Sequence, residues 1–268
     1  MLPGVIPFYG ESPLGAQFED RWRSRFEEFA ELSDDDAGIA GWSATGLDAR
    51  LRRFLSLWKP AAAGGRWLDA GCGAGTYTRV LLRHGLSVFG FDYSLPTIRK
   101  AVARNVDATA FTVADIRRIP FRPGSFDGVL CFGVTQALAD SRPAVQELAL
   151  QLRSGGEIWI DGLNVWCVVH AYELLRRNLS GRPIHLRYES PARVKRMLKE
   201  CGFTDVRLYW MPIVPARSRA LQRVIEAGAV DRLLRAMPFL AKLISHAFIV
   251  HATKRPSRGD GREVASVS

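Results

Sequence analysis

The sequence is poor in the residues that staple, chelate or anchor a chain. Its four cysteines, Cys72, Cys131, Cys167 and Cys201, are scattered, and no two stand at a CxxC or zinc-ligand spacing. That excludes a disulfide framework and a zinc site readable from spacing, and fits free thiols in a reducing, cytoplasmic compartment. No run of 18 apolar residues occurs, so no membrane-spanning helix is expected. The first residues, Met1 to Pro7, lack the basic segment and long apolar run of a secretory signal. Acids are scarce in one half only. Residues 1–150 carry 17 Lys+Arg and 17 Asp+Glu, whereas residues 151–268 carry 20 and 10, so the whole net charge of +10 lies in the second half. A basic half suits an anionic substrate, a membrane face or nucleic acid, and also a merely solvated surface. With 47% hydrophobic residues the chain has the means to build a large core.

What the chain has is an alternating pattern around one glycine-rich turn. Trp67-Leu68-Asp69-Ala70 reads as a strand end, Gly71-Cys72-Gly73-Ala74-Gly75 as a tight turn, and Thr76-Tyr77-Thr78 as a helix start. Further strands are predicted over 87–91, 109–114, 126–132, 157–163, 205–210 and 248–252, with helices over 75–84, 95–105 and 142–153 between the first of them. Such alternation implies crossovers and a parallel sheet. Ser94 is placed to cap the helix from Leu95, and Ser190-Pro191 to open a helix running to Cys201. A helical lead-in, residues 1–60, precedes the α/β unit of residues 61–254. Within it Phe18, Trp22, Arg25, Phe26 and Phe29 share a stripe and Ser33–Asp36 form an acidic break. The lead-in is expected to cover a sheet edge or, through Tyr9, Trp42 and Ser43, to act as a lid. Residues 213–246 read as a helical insertion broken near Gly228 and at Pro238, and 255–268 as a disordered tail.

The second strand ends in Asp92 and the third in Asp115. A glycine turn after the first strand and a carboxylate at the tip of the next is how an α/β fold holds an adenosine-type ligand. The dinucleotide fingerprint GxGxxG is not met, because Thr76 and Thr78 stand where it requires glycine.

Leu68-Asp69-Ala70-Gly71-Cys72-Gly73-Ala74-Gly75 resembles motif I of the class I S-adenosylmethionine-dependent methyltransferases, of the type 11/25-like kind. Val88–Asp92, Ala114-Asp115 with Pro120-Phe121 and Ser125–Val129, Leu152–Gly156 and Cys201-Gly202-Phe203 resemble the later motifs in order. The resemblance implies a Rossmann-like α/β fold, a seven-stranded mostly parallel sheet flanked by helices, and S-adenosyl-L-methionine as cofactor. It also implies roles. Gly71, Cys72, Gly73 and Gly75 let the backbone approach the ligand, and Asp69 faces its ammonium side. Asp92 takes the ribose hydroxyls beside Tyr93, Asp115 and Ile116 take the adenine, and Phe132 lines the reacting end. Many members carry a histidine after the fourth strand; Val134–Leu138 has none here, and Gln136 cannot be a base. The segment after the fifth strand offers Asp161, Asn164, His170, Tyr172, His185 and Tyr188, of which His170 is the candidate catalytic base.

The function expected is methyl transfer by in-line displacement to a small molecule, with oxygen the favoured acceptor atom and a lipid, quinone, natural product or sugar moiety as its carrier. A nucleic-acid substrate is disfavoured, because no Asn/Asp-Pro-Pro-Tyr/Phe run follows the fourth strand. The apolar, basic insertion suggests peripheral membrane contact. The rival is a catalytically inactive protein of the same fold that binds the cofactor or a partner only.

Overall fold

The computed structural model describes residues 13–59, 64–104, 110–180, 186–213, 219–226 and 228–256. Tyr9, His185 and all but the first two residues of the tail lie outside them. Three helices come first: α1 (Pro13–Leu32), α2 (Asp36–Ile39) and α3 (Ala44–Leu57). The α/β unit follows as β1 (Arg66–Ala70), α4 (Thr76–Arg83), β2 (Ser87–Asp92), α5 (Leu95–Arg104), β3 (Ala110–Val113), β4 (Phe126–Cys131), α6 (Arg142–Gln151) and β5 (Leu152–Leu163). Then come α7 (Val168–Ser180), α8 (Pro191–Glu200) and β6 (Phe203–Met211). Three short helices, α9 (Arg219–Ile225), α10 (Gly228–Ala236) and α11 (Pro238–Ile244), precede β7 (Ala247–Lys254).

The seven strands form one sheet in the order β3-β2-β1-β4-β5-β7-β6. The pairs β1–β2, β2–β3, β1–β4 and β4–β5 are parallel, and β7 runs antiparallel to both β5 and β6. The strand order reverses between β1 and β4, so the loops after these strands diverge and leave a crevice at their C-terminal ends.

Period-two alternation sorts the core into two faces. Leu68, Val129, Ile158 and Phe248 point to one side, with Leu148 of α6 and Val194 of α8. Trp67, Leu130, Trp159 and Ile249 point to the other. There α3 delivers Phe54, whose ring stacks on Trp58 at 5.2 Å and meets Phe132 and Trp159 edge-on at 5.5 and 5.4 Å. The lead-in therefore covers a sheet face, not an edge, because Phe54 needs the flat apolar surface of β4 and β5 to bury its ring completely.

Caps follow the chemistry of the sequence in most places. Ser94 Oγ accepts from Thr97 N at 3.3 Å at the head of α5, and Ser43 Oγ from Gly46 N at 3.1 Å at the head of α3. Ser190 has the extended backbone of a cap ahead of Pro191, but its side chain makes no capping bond. The acidic break closes on itself: Asp35 caps the single turn of α2, accepting from Gly38 N.

Candidate active site

The crevice at the ends of β1, β2 and β3 is the site. Gly71 and Cys72 both donate their N–H to Phe91 O, which folds the glycine turn against β2. Gly71 has φ 71°, and a Cβ there would stand 2.3 Å from Val134 Cγ2, so no side chain fits. Asp92 then ties the turn down: its Oδ2 accepts from Gly73 N at 3.1 Å and its Oδ1 from Ser94 N at 3.0 Å. Each carboxylate oxygen keeps a lone pair for a ligand hydroxyl. Burial pushes the Asp92 carboxyl above its usual range, and the backbone donors pull the other way.

Gly71, Cys72, Gly73, Asp92, Tyr93, Asp115, Ile116 and Phe132 all line the cleft. The structure brings these eight together from four loops that the sequence spreads over 62 residues. Gly75 is one step removed: in left-handed conformation it caps α4. Asp69 is also set back from the cleft wall. Only 2% exposed, it accepts from Thr78 Oγ1 at 2.6 Å, and burial raises it to about 6 against the pull of that bond. Thr78, whose identity speaks against a dinucleotide turn, is the partner that keeps Asp69 in place.

Asp115 is paired locally. Arg117 Nη2 donates to its Oδ2 at 2.7 Å, and Arg117 Nη1 donates to Glu19 Oε2 at 2.8 Å. Burial raises Asp115, but the hydrogen bonds and charge of Arg117 outweigh it, and the carboxyl lies below its usual range. Glu19 belongs to α1, and its other oxygen accepts from Ala139 N at 2.9 Å. Tyr93 donates its hydroxyl to Trp22 O at 3.2 Å, and Phe26 meets its ring edge-on at 5.9 Å. Asp36, at the head of α2, accepts from Thr76 Oγ1, Arg79 Nη2 and Arg104 Nη1. It sits at the N-terminus of α4, where a negative charge suits the helix dipole. The first helices are thus fastened over the cleft by charge at both of its ends.

Phe132, Val134, Leu138, Trp42 and Leu47 are among the apolar residues of the cleft wall. A Cβ on Gly133 would strike the Trp42 ring at 2.3 Å, so the loop after β4 is glycine because the lead-in rests directly on its backbone. Asp161, 1% exposed, accepts from Gly133 N at 2.7 Å and pairs with Arg50 Nε of α3 at 3.2 Å; the Arg50 guanidinium lies 4.1 Å from the Trp42 ring centre. Tyr77 lines the cleft with a buried hydroxyl that has no hydrogen-bond partner among the described residues.

The other acceptor-side candidates are held elsewhere. Asn164 donates to Lys242 O and Ser245 O, tying the insertion to the end of β5. His170 stacks on Tyr188 with ring centres 3.9 Å apart and does not line the cleft; burial lowers its pKa. Tyr188 donates to Glu173 Oε2 and also meets His246 Nε2 at 3.0 Å. Gln136 is buried outside the cleft wall, its side-chain oxygen unpartnered among the described residues. Glu19, Trp22, Asp36, Tyr77 and Arg117 are among the cleft residues that sequence reasoning missed. The helical stripe and the acidic break marked two of them, Trp22 and Asp36, locally, but their partners lie 40 or more positions away.

Residues 68–160 match the model of a methyltransferase domain. The chain therefore carries a methyltransferase domain, on the Rossmann-like fold it shares with S-adenosylmethionine-dependent methyltransferases. Among curated relatives, the ubiquinone biosynthesis O-methyltransferase of Cupriavidus pinatubonensis is 27% identical over 167 residues, covering 57% of this chain and 66% of that one. The O-methyltransferase resE of Aspergillus sclerotiorum is 27% identical over 219 residues, covering 75% and 80%. Among solved structures, phosphoethanolamine N-methyltransferase 2 of Haemonchus contortus, bound to S-adenosylmethionine, shares the fold with a TM-score of 0.60 at 21% identity. That match covers 86% of this chain but only 60% of that protein.

The residues present fit the cofactor of this methyltransferase family. A close-approach glycine turn, a carboxylate with free lone pairs, a second carboxylate two strands along and an orphaned tyrosine hydroxyl answer an adenosine that carries charged amino-acid groups. Among the described residues no helix is long and apolar enough to cross a membrane.

Proposed function

We propose that this chain transfers a methyl group from S-adenosylmethionine to an oxygen of a small, largely apolar hydroxyl compound. The cofactor supplies a methyl group already activated by its sulfonium charge. In this reading Asp92 holds the ribose hydroxyls, Asp115 and Ile116 take the adenine, and Asp69 sets a negative field behind the glycine turn. Tyr77 offers its hydroxyl to whatever polar group reaches the middle of the cleft. The observation that carries the choice of acceptor is the apolar part of the cleft wall, which includes Phe132, Val134, Leu138, Trp42 and Leu47. Such a wall excludes water and positions a flat or aliphatic acceptor without solvating it. The two relatives, both O-methyltransferases, support oxygen.

Among the described residues every carboxylate that lines the cleft is engaged, Asp92 by Gly73 N and Ser94 N and Asp115 by Arg117. Glu19 and Asp36 line it, and both are held by cations and neutral donors. His170 is turned to Tyr188. The reading therefore favours a hydroxyl acidic enough to reach the site ionised, such as a phenol, over an alkyl alcohol that needs a base.

Calorimetry with S-adenosylmethionine tests the cofactor half. Asp92→Asn keeps an acceptor for Gly73 N–H but removes the charge, and the affinity is expected to drop about a hundredfold. Labelled methyl transfer to fractionated extracts tests the acceptor half: label is expected in phenolic compounds of the organic phase, and label confined to the aqueous phase would sink the apolar acceptor. Tight cofactor binding with no transfer to any fraction would make the chain a binding protein.

A further inference from the structure

Helix α7 is built inside out. Val168, Tyr172, Leu175 and Leu179 recur at helical spacing, and each is more than half exposed. The opposite face, His170, Glu173 and Arg177, is the one turned to the protein: His170 stacks on Tyr188 and Glu173 accepts from its hydroxyl. A surface helix ordinarily buries its apolar stripe and solvates its polar one. The apolar surface does not stop at α7. Helix α11 packs beside it and exposes Phe239, and α10 continues with Leu233. Of the eighteen large apolar side chains exposed among the described residues, twelve fall between Trp166 and Ile244. That concentration is what separates a functional patch from the scattered exposed leucines of any protein.

Charge says what covers it. Residues 166–180 and 219–244 hold seven Lys and Arg against three Asp and Glu. Two of the three acids are already engaged, Glu173 with Tyr188 and Glu226 with Arg52 and Gln222. Arg176, Arg223 and Arg232 are exposed at the margins of the patch, and Lys242 Nζ lies 4.2 Å from the centre of the Trp166 ring. A second copy set against this face would bring cations onto cations. An anionic bilayer meets both demands, taking the apolar side chains among its acyl chains and the basic rim at its headgroups, with Trp166 and Tyr172 at the level where such rings reside. We infer that the exposed face of α7 and α9–α11 is a docking surface for an anionic lipid bilayer. Resting on the O-methyl-transfer reading, this further makes the acceptor a hydroxyl compound dissolved in that bilayer. Asn164, which joins the end of β5 to Lys242 and Ser245, couples the docked helices to the acceptor side of the sheet.

The test is sedimentation of the full chain with vesicles of phosphatidylcholine, with and without phosphatidylglycerol. Wild-type protein is expected to sediment with the anionic vesicles, less so as salt is added, and to stay in solution with the neutral ones. Leu175→Glu combined with Leu179→Glu is expected to lower partitioning at least about tenfold, and Arg176→Glu about fivefold. Both variants change exposed residues remote from the cleft, and calorimetry with S-adenosylmethionine is expected to show unchanged affinity, which verifies their fold. No association with anionic vesicles, equal association with neutral ones, or a double variant that sediments like wild type would each overturn the inference. So would a wild-type dimer dissolved by the double variant, which would give the face to a second copy. Wild-type protein that binds the cofactor but no vesicle counts against the surface alone. Absent cofactor affinity counts against the proposed function and leaves the surface standing.

Discussion

Asp69 shows what a single buried carboxyl does here. Burial raises it to about 6 from an ordinary value near 3.8, and Thr78 offsets only part of that. Between those two values the folded chain keeps a proton that the unfolded chain has released. The contribution of Asp69 to stability is therefore greatest in acid and falls, by about 3 kcal/mol in all, as pH rises through the window. What the fold loses by ionising Asp69 it regains when a cation arrives, since a cationic ligand behind the glycine turn favours the ionised form. The affinity for S-adenosylmethionine is accordingly expected to weaken about tenfold between pH 7.5 and pH 5, with protons released on binding near pH 6. Calorimetry in buffers of different ionisation enthalpy reads both quantities. A flat profile would separate Asp69 from the ligand's charge. His246 is displaced the opposite way, down to about 4 by burial, with Arg50 and His170 adding to the shift. It loses stability as pH falls from its ordinary value toward 4, so the two groups oppose each other over the same interval.

At the level of elements, the decisive contact joins α3 to β5. Arg50 and Asp161 are both buried, and their pairing is completed by Gly133 N and by the Trp42 face. Removing one member strands the other. Arg50→Met is expected to cost about 3 kcal/mol or more in chemical denaturation, whereas Arg50→Met with Asp161→Asn restores at least half of the loss, because Asn still accepts from Gly133 N. The strands and helices from β1 to β5 were readable because each leaves a local period and ends on a glycine, proline or carboxylate with its own reason to be there. The docking of α1–α3 was not. Asp36 with Thr76, Glu19 with Arg117 and Arg50 with Asp161 are 40, 98 and 111 positions apart, and no local pattern records such pairs. The exposed stripe of α7 was not legible either, since a period of 3.6 is the same whether the apolar face turns inward or outward.

Taken whole, the molecule is a reversed-order sheet with its ligand-binding loops on one rim, a first segment strapped across those loops and a greasy, basic flank of helices beyond the end of β5 on that same rim. The eight cleft residues from the motif strands were legible because the fold of a class I methyltransferase puts every loop after β1–β4 on one rim. The acceptor side was not, because Asn164, His170 and Tyr188 are committed to internal bonds that only the packed insertion reveals.

The strap has a consequence for the order of events in a turnover. Trp42 rests on Gly133, Trp22 on Tyr93 and Asp36 on the head of α4, so the donor's seat is roofed by residues 13–59. In the proposed reading a donor seated under that roof leaves only after it lifts, while the acceptor meets it against Phe132 and Leu138 of the cleft wall. Turnover should then be compulsory in sequence, donor first and spent donor last. Steady-state kinetics are expected to show S-adenosylhomocysteine competing with the donor and inhibiting noncompetitively against the acceptor. Random-order patterns would mean that the roof opens freely in solution.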